Sequence, residues 1–299
     1  MSISPMKQLL EDAAAHNRAV GAFNVGNMEM ILGVIRAAEE LNTPVILQIA
    51  EARLNHSPLS LMGPMMVAAA RKSKVKTAVH LDHGRTEETV RKALDLGFSS
   101  VMFDGSRYEY AENLRLTSRV TAMARAAGVS MEAELGVVGG SESSETGVRA
   151  VCTDPERARN FSEQTGVDAL AVAIGNAHGH YVAEPKLRFD VLEEIHKTVK
   201  VPLVLHGGTG ISPEDFRKCV RHGIRKINIA TADFDALTRG AERCFRTGEA
   251  CDYFKLNESM VREVYETVKT HILIFNNQVP LERINGREEG KKIHAVHTV

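Results

Sequence analysis

Eight times along this 299-residue chain a short apolar run of strand character gives way to a helical pattern, and that alternation constrains the fold more than any other feature. The strand-like runs are Val20–Val25, Pro44–Ile49, Thr77–Asp82, Ser99–Asp104, Val129–Leu135, Ala169–Ile174, Pro202–Leu205 and Lys226–Ile229. Between them lie amphipathic patterns, one running from Thr86 to Leu96 and others opened by capping residues: Asn27, Asp154 before Pro155, and Ser212 before Pro213. Parallel strands need a crossover of a dozen or more residues, and a helix is the usual one. Eight such units predict an α/β protein, a (β/α)8 TIM barrel with an N-terminal helix and extra C-terminal helices. The expected organisation is one domain over 1–299, its barrel core about 18–236 and its C-terminal helices and tail about 237–299. An open doubly wound sheet is the alternative, because periodicity does not prove closure.

Composition excludes other classes. The chain is 43% hydrophobic and 25% charged, ordinary globular values. With 37 Lys+Arg against 38 Asp+Glu the formal charge is -1, so no basic footprint for nucleic acid exists. The opening MSISPMKQLLEDAAAHN reads as an amphipathic helix, Ser4 its N-cap and Pro5 its first residue, without the apolar core of a signal peptide. No run approaches the ~18 apolar residues of a membrane span. Cys152, Cys219, Cys244 and Cys251 lack C-x-x-C spacing and read as buried, reduced thiols. A cytoplasmic protein without membrane or nucleic-acid partners is expected.

In a barrel the loops that follow the strands share one face. Asn24, Asp82, Glu132 or Glu134, His178, His206 and Asn228 should therefore converge, though far apart in sequence. A histidine at one strand end is most often a hydrogen-bonded polar residue. Three of them, His83, His178 and His206, after strands 3, 6 and 7, suit the open three-imidazole coordination of catalytic Zn2+. Asp82 is placed to cap the next helix or, beside a metal ligand, to transfer a proton. Glu132 and Glu134 share one face of strand 5 and, if inward, need partners or a metal. Glu142, in the Gly/Ser-rich loop after strand 5, is either a solvated carboxylate or an acid/base group on a lid. His80 takes a supporting or packing role, His180 is solvated, and surface positions account for His16, His56, His196, His222, His271, His294 and His297.

Loops after strands 7 and 8 commonly hold phosphate in barrels. Here they read His206-Gly207-Gly208-Thr209-Gly210 and Asn228-Ile229-Ala230-Thr231, with glycines that let backbone N–H groups approach an anion and with threonine hydroxyls. A phosphorylated substrate is the expectation.

Taken together, GAFNV from Gly21, HLDHG from His80, EAELG from Glu132 with the glycine pair at Gly139, AIGNAHG from Ala173, LVLHGGTG from Leu203 and KINIAT from Lys226 resemble the class II ketose-bisphosphate aldolases. The likeness runs from Met6 to about Ala236, and the last three motifs are most similar to the tagatose-bisphosphate aldolase branch. The resemblance implies Zn2+ on His83, His178 and His206, with a monovalent cation beside the substrate phosphate. Asp82 is implied to exchange the proton of the C4 hydroxyl, and Glu142 to serve the donor carbon. Asn24, Gly179, Gly207, Gly208, Thr209, Asn228, Ile229, Ala230 and Thr231 are implied to bind the dihydroxyacetone phosphate half of a ketose 1,6-bisphosphate such as the tagatose or fructose sugar. A homodimer or homotetramer is implied as well.

The chain departs from the family after strand 2, where Ala50-Glu51-Ala52-Arg53 stands in place of a frequent serine. If that loop borders the substrate, Glu51 repels a second phosphate and Arg53 attracts one. A metal-dependent sugar-phosphate isomerase or epimerase is the competing reading, and a catalytically silent barrel the reading outside enzymes.

Overall fold

A computed structural model describes residues 2–140, 151–181, 184–246 and 250–278. Its main sheet consists of β1 (Val20–Asn24), β2 (Val45–Ala50), β3 (Thr77–Gly84), β4 (Ser100–Phe103), β5 (Ser130–Leu135), β6 (Ala169–Val172), β7 (Leu203–Leu205) and β8 (Ile224–Ile229). Each pairs in parallel with the next, and β8 pairs back onto β1, so the sheet is a closed eight-stranded barrel rather than an open one.

Side chains on a strand alternate between faces, so every second residue points into the barrel. The register stacks these residues into layers: Asn24 lies opposite Gln48, Gln48 opposite His80, and Ala50 opposite Asp82. Near the strand starts the interior is small and apolar, with Val20, Ala22, Ile46, Ala78, Ala169, Ala171 and Val204 packed together. Met6, Leu9, Leu10 and Ala13 of α1 (Met6–Ala15) join that cluster, so the N-terminal helix closes the end of the barrel away from the strand tips. Towards the tips the interior turns polar: Gln48, His80, Asp82, Glu132, Glu134, His206, Lys226 and Asn228 are all buried there. The outward residues, among them Phe23, Leu47, Val79, Val101, Leu170 and Leu205, form a second core with the surrounding helices.

Those helices are α2 (Met28–Glu40), α3 (Leu59–Lys72), α4 (Glu87–Asp95), α5 (Tyr110–Ala126), α6 (Pro155–Thr165), α7 (Phe189–Thr198), α8 (Pro213–Arg221), α9 (Thr231–Arg246) and α10 (Tyr253–Phe275). Side-chain caps start three of them where the sequence predicts, Asn27 accepting from Met30 N, Asp154 from Arg157 N and Ser212 from Asp215 N, and Thr86 caps α4 in the same way by accepting from Thr89 N. α9 and α10 pack closely at Gly240, where a Cβ would lie 2.6 Å from Met260 Cα. None of the described helices is long and apolar enough to cross a membrane.

Three local expectations are corrected. α1 begins at Met6, with Pro5 at the cap position; Ser4 instead donates its backbone N–H to Thr77 O, stitching the N-terminus to the start of β3, while its hydroxyl reaches Ser2 O. Cys244 and Cys251 are joined in a disulfide, because the reversal between α9 and α10 brings their Cα atoms to 5.5 Å; Cys152 and Cys219 are free. His271 is only partly exposed. It faces inward from α10, its ring against Phe216 and Phe275 and its Nδ1 on Thr267 O. The tail from 279 onward, with His294 and His297, lies outside the described residues.

Candidate active site

Barrel closure brings β3, β6 and β7 to one mouth, and the three predicted imidazoles meet there. Ring centroids of His83 and His206 are 4.6 Å apart, those of His83 and His178 4.9 Å, and those of His178 and His206 5.9 Å. One nitrogen from each lies within 4.8 Å of the others, a set that could hold a metal ion. His178 reaches the site from the loop after β6, where Ala177 and His178 pair with Gly139 and Gly140 in a two-residue ladder.

Hydrogen bonds fix which nitrogen faces the gap. His83 Nδ1 is 2.8 Å from Asp104 Oδ2, and His206 Nε2 is 3.0 Å from Glu132 Oε1. Each of these nitrogens thus has a carboxylate behind it, as behind metal-ligating histidines, while His206 Nδ1 faces Glu134. A ligating imidazole is neutral, so metal binding would displace the proton that Asp82 and Asp104 favour on His83. His83 adopts a positive φ of 45°, which turns its ring away from the strand line towards the mouth. A second donor set, His83, Asp104 and Glu134, shares one imidazole with the first.

Asp82 sits beside His83 and is 1% exposed. Three side-chain amides converge on it: Asn228 Nδ2 on Oδ1 at 3.0 Å, Asn24 Nδ2 and Gln48 Nε2 on Oδ2 at 3.2 and 3.3 Å. Burial alone would raise its pKa, but His83, His206 and Lys226 outweigh burial and hold the carboxylate at about 2. Burial likewise opposes charge on His83, yet the Asp82 and Asp104 carboxylates push that imidazole well up. Burial, then the charges of His83 and His206, drive His178 well down, leaving it neutral.

Below the mouth Glu132 and Lys226, both 0% exposed, form a buried ion pair with Nζ 3.0 Å from Oε2. Burial would raise Glu132, but Lys226 and His206 hold it below the usual carboxylate range. Glu134 Oε2 approaches His206 Nδ1 at 3.0 Å, and burial together with Asp104 shifts Glu134 upward. His80 hydrogen-bonds Ser100 within the barrel, and His180 is exposed beside Asp235.

A cavity at this mouth is lined by Asn24, Asp82, His83, His178, Gly179, Gly207, Gly208, Thr209, Asn228, Ala230 and Thr231. Ile229 is not among them; its side chain is buried in the outer core. The glycine-rich turn is tightly built. Gly207 has a φ of +63°, and a Cβ there would sit 2.1 Å from Ala177 O, so the loops after β6 and β7 touch through backbone alone. Tyr181 ties the same loops, accepting from Ala177 N and donating to Gly207 O. Gly208 N–H is taken by Asn228 O, and Thr209 Oγ1 accepts from Ala232 N, which docks the turn onto the start of α9. In the first turn of α9 the N–H groups of Asp233 and Phe234 go to Ala230 O, so Thr231, which lines the cavity, starts the helix at the mouth. A wider surface depression between α2 and α10, lined by Arg36, Glu40 and Arg262 among others, lies away from the strand tips.

Glu51 is not where its sequence position suggests. Its carboxylate turns away from the cavity and accepts from Arg85 N at 2.5 Å and from Thr89 Oγ1 at 3.0 Å, holding the turn that enters α4. Arg53 lies over the Phe234 ring, 5.3 Å from its centroid. Glu142 falls outside the described residues. Sequence reasoning missed Gln48, Asp104 and Lys226 as parts of the site. Asp104 carried a usable signal, since it follows the last residue of β4 just as Asp82 stands near the tip of β3.

The family model described as fructose-bisphosphate aldolase class II matches residues 4–279. Fructose-bisphosphate aldolase of Geobacillus stearothermophilus is 41% identical over 242 residues, covering 80% of this chain and 84% of the relative. The Staphylococcus aureus protein of the same name is 40% identical over 234 residues, 77% of this chain and 82% of the relative. Among solved structures, the YdjI aldolase of Escherichia coli K12 superposes with a TM-score of 0.83 at 36% identity, covering 91% of this chain and 97% of that one.

Proposed function

The chain belongs to the class II fructose-bisphosphate aldolase family, and we propose that it reversibly cleaves a ketose 1,6-bisphosphate, tagatose or fructose 1,6-bisphosphate, to dihydroxyacetone phosphate and an aldehyde. It is an aldehyde-lyase of the metal-dependent class. The observation that carries the reading is the meeting of His83, His178 and His206 beside an ionised Asp82 at the mouth of the barrel.

His83, His178 and His206 would hold Zn2+, since each offers a nitrogen and two are backed by carboxylates. When bound, the metal supplies a Lewis acid that polarises the ketose carbonyl and stabilises negative charge as C3–C4 breaks. Asp82, kept ionised and aimed by three amides, takes the proton of the C4 hydroxyl; the O4–H electrons become the aldehyde C=O, and the C3–C4 pair passes to the donor half. Glu142 then delivers a proton to that carbon. The turn Gly207–Gly208–Thr209, with Gly179 and residues Asn228 to Thr231, receives the donor phosphate, Gly208 N–H and Thr209 Oγ1 bracing the turn through Asn228 O and Ala232 N. Carbonyl oxygens of the same turn suit a monovalent cation.

The reading includes a cytoplasmic location, where phosphorylated sugars are retained by their charge, and assembly as a homodimer or homotetramer. Phe245, Tyr253 and Phe254, exposed together around the α9–α10 corner, are the kind of apolar surface that assembly covers. Product analysis tests the reaction. Cleavage of a hexulose bisphosphate releases two three-carbon fragments, whereas an isomerase or epimerase leaves the chain of six carbons intact and would overturn it.

A further inference from the structure

Asn228 is held from both ends. Lys226 Nζ lies 2.7 Å from its Oδ1, and its Nδ2 lies 3.0 Å from Asp82 Oδ1. The two neighbours dictate the amide's direction. An ammonium group has donors and no acceptor, so the atom facing it must be the carbonyl oxygen; an ionised carboxylate accepts only, so the atom facing Asp82 must be the NH2. Asn24 and Gln48, the other two amides on Asp82, have no such second anchor among the described residues: Asn24 Oδ1 and Gln48 Oε1 are buried without a hydrogen-bond partner there. Their contacts with Asp82 are also longer.

Building on the aldolase reading, we propose that Lys226 is a positioning residue: it fixes which end of the Asn228 amide faces Asp82, and so fixes Asp82 against the substrate hydroxyl. The same ammonium also contacts both Glu132 oxygens, at 3.0 and 3.2 Å, and Glu132 in turn accepts from His206. One buried cation therefore links the proton-transfer carboxylate to the imidazole scaffold. A plainer role exists for Lys226 as counter-charge to Glu132, and the two roles differ in what a charge-balanced variant does.

Lys226→Met alone leaves Glu132 charged and unpaired in the barrel, so the informative protein is Lys226→Met with Glu132→Gln. If Lys226 positions Asn228, this variant, measured at saturating metal and against Glu132→Gln alone so that loss of the carboxylate behind His206 cancels, loses about 10- to 100-fold in kcat, with KM changed much less. Asn228→Ala, costly in the wild-type background, then adds no more than about twofold in the charge-balanced one, since both act through one amide. A kcat in the charge-balanced variant no lower than in Glu132→Gln alone, or an undiminished Asn228→Ala effect there, overturns the proposal and leaves only the counter-charge role. Should that variant not fold, Lys226→Gln replaces a donor-only group by one with two ends; it should lower kcat in the same direction, and unchanged kcat overturns the idea. The crystal structure of the variant decides independently of activity. Asn228 is expected to leave Asp82, and an Asn228–Asp82 contact retained with the same polarity contradicts the proposal. Absence of any ketose cleavage by the wild-type protein would instead count against the parent reading, while the crystallographic result would still stand.

Discussion

Asp104 Oδ2 lies 2.8 Å from Nδ1 of His83, and this one contact fixes the tautomer of the imidazole that stands next to Asp82. Asp104 also accepts from Ser106 through backbone and side chain, so its own position is braced.

Asp104→Ala should therefore weaken metal binding about 10- to 100-fold, the usual cost of losing a carboxylate behind a ligating histidine. Competition with a chromophoric chelator measures it. At saturating metal most of the activity should return, and unaltered metal affinity would show that His83 needs no orienting partner.

Asp82→Asn should separate chemistry from metal binding. The isosteric amide keeps the fold but cannot take a proton, so kcat should drop by about 10^2- to 10^4-fold. Metal content by elemental analysis should remain at the wild-type level. Normal turnover in this variant would remove Asp82 from proton transfer.

Glu51→Ala tests the corrected placement of that residue. Its carboxylate holds Arg85 N and Thr89 Oγ1 at the start of α4, so losing it should cost about 1 kcal/mol of stability, as loss of a helix cap does. KM for the bisphosphate should hardly move. A marked fall in KM would mean that Glu51 faces the second phosphate after all.

The metal-free protein should lose stability on acidification from about pH 6.5. His80 is buried and its pKa is pushed down to about 3 by burial and by Lys226, so between pH 3 and 6.5 the unfolded chain binds a proton that the native chain refuses. Stability therefore rises with pH through that window. Urea midpoints at pH 4, 5 and 7 measure it, and His80→Gln should reduce the dependence, leaving the part that His178, also driven down by burial, contributes.

Much of this was legible in the chain because a barrel converts strand order into a shared face. Asp82, His83, His178, His206 and Asn228 could be brought together on paper from the positions of their strand ends alone. Gln48 and Lys226 were not legible, since a polar residue inside an apolar run looks like an interruption until the register shows it opposite His80 or against Glu132. Glu51 was misjudged for a different reason: a three-residue turn of helix, Glu51–Arg53, rotates its carboxylate towards α4, and no periodicity reports such a rotation. Cys244 and Cys251 needed the α9–α10 reversal to meet, and His271 needed Phe216 and Phe275 beside it before its partial burial was apparent.

The central claim is that cleavage depends on a metal held by His83, His178 and His206. Its most direct test is the rate of dihydroxyacetone phosphate release from a ketose 1,6-bisphosphate by protein stripped with a chelator and then titrated with Zn2+. Activity should vanish on stripping and return in full at about one equivalent per chain, with no recovery in His206→Ala. Undiminished cleavage in chelator, with a substrate adduct trapped by borohydride, would contradict the claim and point to a lysine Schiff base.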